Sequence, residues 1–513
     1  MNFYRNGNDI KGILVCNDKT VDDIKRHAHL LTVFLRESSF LTEAYILDYF
    51  VDTLWNRLPS SWLEIVKDFD PYDIESFLNP KRNLRYQQPW PLSFLSFRAC
   101  AFALAIPRAS IKSTKPIERF LQENLGSQVE KLQLNITEDN EWDLSSSEFE
   151  NKSGQHKKIP EFCRRHVKPK KQHEIFRMGQ VANTVSCAFD INHVVDIGSG
   201  QGHLSRLLAL CYNLNVATIE AKEDHVSGAM NFDQQAFSTL KRLKKHTVVK
   251  GNEEEDYTLP HHLEGSLTLK SSKECLENIL KNVWCQSPSD DGKERIALLG
   301  LHTCGDLAAT ILKTFTKCAE SHVLFSVGCC YMKLNSNTVD EGYPLSYFVR
   351  SLPHHHLSYE AREMACHALE MYLQRLQANA PSLKIHCYRA TLEKCIVHHF
   401  PQHKHLGLRG VKHAELLEFS EYAERALSKV SFQIPKTYFL SPEVQSCLKD
   451  WKGVLIFYSL RLIIAPIVES LILLDRMLYL YEQGYPSCIA PIFDPSISPR
   501  NHLLISARKN FMR

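Results

Sequence analysis

Three groups of residues have the types and spacing to do chemistry. The first is Asp196-Ile-Gly198-Ser199-Gly200-Gln201-Gly202-His203, which follows the apolar run HVV and opens into LSRLLALC. Glycines permit a tight turn and let a ligand approach the backbone. The start of the helix expected at LSRLLALC would add unpaired N–H groups. The second is Glu220, an acid closing the run NVATI. Such an acid, one strand further on, suits the two hydroxyls of a ribose. The third is a pair of segments: His302-Thr-Cys304-Gly after IALLGL, and Cys329-Cys330-Tyr-Met-Lys333 after VLFSVG.

Two cofactor classes use a strand, a glycine loop and a helix in this order. A dinucleotide needs Gly-x-Gly-x-x-Gly, because its pyrophosphate rests on the helix end. Here the spacing is Gly-x-Gly-x-Gly, with Asp196 two residues ahead. That variant reads as an S-adenosylmethionine (SAM) loop, in which a carboxylate serves the amino-acid moiety. The expected cofactor contacts are therefore Asp196 and the run Gly198, Ser199, Gly200, Gln201, Gly202 and His203, with Glu220 on the ribose.

The third group would lie beside the bound methyl, since ligands sit at the carboxyl ends of strands in a doubly wound sheet. His302 is a candidate general base, imidazole being suited to proton removal near neutral pH. Cys304, with Cys329 or Cys330, occupies places comparable to the cysteine pair of RNA 5-methylcytosine enzymes. The flanking residues are not the usual Pro-Cys and Thr-Cys. A metal held by His302 and the three thiols fits no standard ligand frame, so no metal is expected. The plainest reading is that these small side chains pack beneath the cofactor. No Asp/Asn-Pro-Pro-Tyr/Phe tetrad follows the fourth strand, which disfavours methylation of adenine or glutamine amino nitrogens.

These residues need elements to hold them. Runs of strand length, His193–Ile197, Val216–Ile219, Thr247–Lys250, Ile296–Leu301 and Val323–Val327, alternate with helical stretches at Leu204–Cys211, Val226–Leu243 and Leu307–Phe315. Alternation of this kind implies a parallel sheet with helices on both faces. CIAPIFDPSISPRNHLLISARK reads as a closing hairpin. The predicted class is α/β: a seven-strand Rossmann-like fold of the SAM-dependent methyltransferase type, plus a mainly helical N-terminal domain. The boundaries are 1–135 for the helical domain, 136–159 for a polar linker, and 160–513 for the sheet domain. Insertions are expected at about 253–294 and 355–485. Upstream, Lys170, Lys171, His173 and Glu174 precede a helix leading into the first strand and could cover a cofactor. His354–His356 and the histidine-rich segment 398–413 read as surface loops, the second able to touch RNA.

The chain has 513 residues, 44% hydrophobic and 23% charged, which excludes wholesale disorder. Sixty-one basic residues against 58 acidic give a net charge of +3. That is too small for a chain held to nucleic acid by bulk charge, though it leaves room for a local basic groove. Sixteen cysteines include no Cys-x-x-Cys pair, and Arg5, Asp9 and Lys11 interrupt the apolar run a signal peptide requires. Reduced thiols in the cytoplasm or nucleus are expected. Residues 453–480 are strongly apolar, but Arg461, Glu469, Asp475 and Arg476 break the run of about 20 residues that a membrane span needs. A buried helix pair broken near Pro466 is expected instead.

The set KKQHE, VVDIGSGQGHLSR, GLHTCGDL, VGCCYMKL, LSYEAREMACHALE, HCYRATLE and SPRNHLLISARK resembles the methyltransferase-like protein 25 family. WNRLPSSW and PLSFLSF look like that family too. The resemblance covers nearly the whole chain and is strongest to its B-type branch, once labelled as carrying a ribosomal RNA adenine dimethylase domain. The missing Pro-Pro tetrad runs against that label. The His-x-Cys-Gly and Cys-Cys signatures are also similar to a group of tRNA 2′-O-methyltransferases, although that group's N-terminal zinc-finger cysteines are lacking. The resemblance implies a SAM-dependent methyltransferase with a macromolecular substrate, RNA ahead of protein. The rival expectation is a non-catalytic interaction scaffold built on the same fold.

Overall fold

The computed structural model describes residues 12–86, 88–125, 141–143, 147–150, 153–247, 258–268, 272–284, 295–335 and 342–508. Eight strands form one sheet: β1 (Leu14–Cys16), β2 (His193–Ile197), β3 (Asn215–Glu220), β4 (His261–Glu264), β5 (Ile296–Thr303), β6 (Ser321–Gly328), β7 (Ser487–Pro491) and β8 (His502–Ala507). Their order is β1-β7-β8-β6-β5-β2-β3-β4. Strands β4, β3, β2, β5 and β6 run parallel, and β8 lies antiparallel between β6 and β7. The central strands are near-continuous apolar runs because both faces are covered. Helices α1 (Pro169–Ala188), α2 (His203–Tyr212), α3 (Glu223–Thr247) and α4 (Asp306–Lys317) connect and flank them.

The chain order reverses between β2 and β5. From β2 the sheet proceeds to β3 and β4 on one side, and from β5 to β6 on the other. A crevice outside the carboxyl ends of strands forms at such a switch point. The loop after β2 and the turn after β5, which carry the chemistry-bearing residues, both begin there.

The predicted α/β class with its seven-strand pattern is present in β2–β8. Three details differ from the sequence reading. An eighth strand, β1, pairs antiparallel with β7 through Leu14↔Ile489 and Cys16↔Ser487. The strand beside β3 is His261–Glu264, inside the stretch read as a surface insertion. The strand expected at Thr247–Lys250 instead meets the end of α3 at Thr247, and 248–250 fall outside the described residues. The stretch read as a linker is anchored where it is described. Trp142, Glu148 and His156 are buried, and Glu148 accepts from Arg177 and pairs with His173. Buried polar groups need partners of this kind.

The chain divides into two units, and neither is one continuous segment. The sheet unit comprises Met1–His29, Ile106–His356 and Leu471–Arg513. The helical unit comprises Leu30–Ala105 and Leu357–Ser470. This differs from a boundary at 135 and from a self-contained insertion at 355–485, because the two halves of the helical unit complete each other. Tyr49 donates to Asp450 (3.1 Å), Arg461 donates to the Leu41 carbonyl (3.1 Å), and Gln377 donates to Glu75 (2.9 Å). Trp451–Glu482 is apolar enough by composition to cross a membrane, yet 94% of its most apolar window is buried within the protein. It consists of two helices, Trp451–Leu462 and Ala465–Glu482, parted at Ile463 and Ile464. Pro466 therefore sits in the first turn of the second helix, where its missing N–H costs little.

Candidate functional site

The loop after β2 turns sharply, with φ of 72°, 59° and 64° at Gly198, Gly200 and Gly202. Only glycine adopts such angles without strain. At Gly202 a second constraint applies, since a Cβ there would lie 2.9 Å from the His262 ring. That ring belongs to a buried network beneath the loop. Arg206 donates to Asp233 (2.6 Å) and to the Gln201 carbonyl (3.2 Å), while His262 bridges Asp233 (2.7 Å) and Thr218 (2.9 Å). His203 turns onto Arg206 (3.2 Å), and burial followed by the Arg206 charge depresses its pKa to about 4. Arg206, Asp233 and His262 were not singled out from sequence, because a helix-borne Arg–Asp pair looks like any solvated pair until its burial is known.

Glu220 stands across the loop. Its carboxylate accepts the Gly200 N–H (2.9 Å) and the Lys222 N–H (3.1 Å). Each carboxylate oxygen keeps a further lone pair, so both backbone bonds leave room for ligand hydroxyls. Asp196 is 2% exposed and accepts the Ser205 hydroxyl (2.6 Å). Burial raises its pKa to about 6 against the lowering pull of Ser205 and Lys171. The Ser199 hydroxyl is buried without a hydrogen-bond partner. A buried polar atom left unpaired at the crest of a glycine loop fits a site completed by a ligand. Gln201 is exposed beside it.

The β5 end is shaped by a bulge. Leu301 pairs with Val327 and Thr303 with Gly328, which leaves His302 as the extra residue, in the left-handed region at φ 66°. Bulges re-aim side chains, and here His302 Nε2 meets Glu174 at 2.7 Å. Glu174 lies on α1, is 1% exposed and also accepts from Ser498 (2.7 Å). Burial pushes its carboxyl up, but His302, Lys171 and Ser498 outweigh this and hold it at about 2. Lys171 is the electrostatic neighbour of Glu174, Asp196 and Cys329, so it links the two ends of the site. The KKQHE motif carried this information, although the sequence did not pair Glu174 with His302.

Beside His302 the three thiols converge. Cys304 Sγ is 3.2 Å from Cys330 Sγ, which is 3.7 Å from Cys329 Sγ. The Cys304 thiol is lowered to about 5, chiefly by hydrogen bonding from Cys329, with Cys330, Lys333 and His302 adding to the effect. Cys304 is exposed and the other two are half-buried. A purely packing role would bury all three. The His354–His356 run is a loop in which His355 Nδ1 contacts the Leu352 carbonyl (2.7 Å).

A family model described as "Methyltransferase domain" matches residues 170–337, which include every residue of the site except Ser498. The human "Probable methyltransferase-like protein 25" is 23% identical, over 93% of this chain and 96% of that protein. The mouse protein of the same name is 24% identical, over 66% of this chain and 75% of its own. No solved structure gives a significant match. Sheet order and glycine loop fit a methyltransferase domain, and over nearly its whole length the chain is similar to the probable methyltransferase-like protein 25 of human.

Proposed function

We propose that this chain is a SAM-dependent methyltransferase acting on a macromolecule, RNA ahead of protein. The observation that carries the reading is the β2 loop: three glycines at positive φ, an unpartnered Ser199 hydroxyl, and Glu220 braced opposite by the Gly200 N–H. Asp196 and the Gly198–Gly202 backbone would hold the methionine part, and Glu220 the ribose. When bound, SAM supplies an electrophilic methyl group for attack by an acceptor lone pair. Most of the rate would come from holding the acceptor in line. His302 takes up the acceptor proton at Nδ1, while Glu174 holds Nε2–H and fixes the tautomer.

A groove in the helical unit supports RNA. It encloses about 880 Å³ and is lined by Arg409, Lys412, Arg425 and Lys429, with His403 stacked on Phe432 at 4.8 Å. Arg409, Lys412 and Lys429 are exposed and form no ion pair with any described residue. Exposed cations beside a stacked aromatic pair suit a single-stranded phosphate backbone.

Calorimetry with SAM and S-adenosylhomocysteine tests the cofactor. Binding to the native chain, weakened in Glu220→Ala, is expected; no heat at millimolar ligand would sink the enzyme reading in favour of a scaffold. Transfer of labelled methyl to RNA and protein fractions from cells lacking the protein tests the substrate. Label confined to protein would overturn the RNA preference. In the same assay His302→Ala is expected to cut turnover about 100-fold at unchanged SAM affinity.

A further inference from the structure

We propose that Cys304, Cys329 and Cys330 form a three-thiolate site for a thiophilic divalent cation of the zinc type. The inference rests first on sulfur geometry and holds whether or not the chain binds SAM. It departs from the sequence reading, in which the spacing matched no standard frame. The frame is built in space instead, by two strand ends that lie side by side in the sheet.

All three sulfurs lie within 4.8 Å of one another. Tetrahedral zinc with bonds of about 2.3 Å places its sulfur ligands about 3.8 Å apart. The observed 3.2 and 3.7 Å separations lie just short of that value, close enough for rotamer adjustment to close the set on an ion. No disulfide joins them, and each is at least partly accessible to solvent.

The backbone is shaped to hold this arrangement. His302 accepts a left-handed conformation just before Cys304, and Gly305 (φ 57°) follows it. A Cβ at Gly305 would lie 2.6 Å from the Lys333 carbonyl, so the turn after β5 nests directly on the short helix Tyr331–Lys333. A non-glycine residue such as His302 holds the left-handed region only where its surroundings over-determine it. Simple packing of small thiols requires none of it.

Charge also suits the site. Three thiolates around a dication leave one negative charge. Lys333 faces Cys304 and Cys330, and Lys171 faces Cys329. Among the described residues only three protein ligands converge, Cys304, Cys329 and Cys330. A fourth position then stays open to water or a substrate atom, the pattern of catalytic rather than closed structural zinc. A second group of ligand types, Asp48, Glu393 and His405, is less suited, because the Lys404 ammonium already lies 3.2 Å from Asp48.

The test uses the full chain, purified under reductant and stripped with a chelator. Zn²⁺ is titrated by calorimetry and Co²⁺ by absorption. The expected result is one ion per chain and a thiolate-to-cobalt charge-transfer band. Cys304→Ser, Cys329→Ser and Cys330→Ser should each weaken Zn²⁺ binding at least tenfold, while Cys100→Ser, an exposed cysteine elsewhere, should not. Circular dichroism of each variant separates loss of the site from loss of the fold. Absence of the cobalt band, or unchanged Zn²⁺ affinity in all three folded variants, overturns the proposal. A Cys304–Cys330 disulfide mapped in the reductant-purified, zinc-free chain overturns it in favour of an oxidisable pair.

Discussion

At the scale of single residues, the site is a set of buried charges that need one another. Asp196 is the extreme case, because folding moves its pKa from 3.8 to about 6, mainly through burial. A carboxyl raised on folding contributes its full stability below the unfolded pKa and loses it as pH rises through the folded one. At pH 7 the ionised Asp196 therefore opposes folding. Asp196→Asn keeps an acceptor for Ser205 and removes the charge. It is expected to raise stability by up to about 3 kcal/mol above pH 6, with no gain below about pH 4. Urea unfolding at pH 4 and pH 7.5 checks this, and an equal gain at both would refute it. The same variant should bind SAM more weakly. Glu174 has the opposite sign: its depressed pKa contributes stability above about pH 4.5 that is lost as pH falls toward 2. None of this was legible in sequence. Asp196 and Glu174 were visible as acids, but their burial follows from contacts made across 128 positions, as between Glu174 and His302.

At the scale of elements, the glycine loop separates two kinds of constraint. Gly200 has open space around its missing Cβ, so Gly200→Ala meets only the positive-φ penalty of about 1–2 kcal/mol. Gly202→Ala adds a clash with His262 and Ala229 and disturbs the Arg206–Asp233 network. The prediction is a small drop in melting temperature with lost SAM affinity for Gly200→Ala, and a clearly larger drop for Gly202→Ala. Differential scanning calorimetry ranks the two, and equal drops would contradict the geometry. The strands around the loop were legible because parallel strands buried on both faces are apolar throughout. His193–Ile197 falls where the sequence puts it, and β3, β5 and β6 extend the expected runs by two or three residues. The edge strands β1 and β4 were not legible. They are short, and HHLE in β4 carries no apolar alternation; sheet edges are covered on fewer sides and demand less of the sequence.

At the scale of the whole molecule, discontinuity is the governing fact. The helical unit needs both Leu30–Ala105 and Leu357–Ser470. Residues 160–513 alone would leave the partners of Asp450, Arg461 and His405 missing, since Tyr49, Leu41 and Asp48 all lie upstream. Such a fragment is expected to be insoluble or aggregated, while co-expression with residues 1–135 should restore a soluble complex. Size-exclusion chromatography decides, and a monodisperse 160–513 fragment would refute the division. The sequence suggested a separate N-terminal domain because helical periodicity reports local amphipathicity and carries no record of which distant helix covers the apolar face.

The pairing of Leu14 with Ile489 also has a temporal side. The ribosome makes β1 long before β7, because nearly the whole sheet unit and helical unit lie between them in the chain. At roughly 5–20 residues per second, the first strand waits from about half a minute to more than a minute for its neighbour. Through that interval the nascent chain carries an unpaired edge and half of a helical core. Vectorial synthesis thus leaves the β1 edge of the sheet open until β7 has emerged.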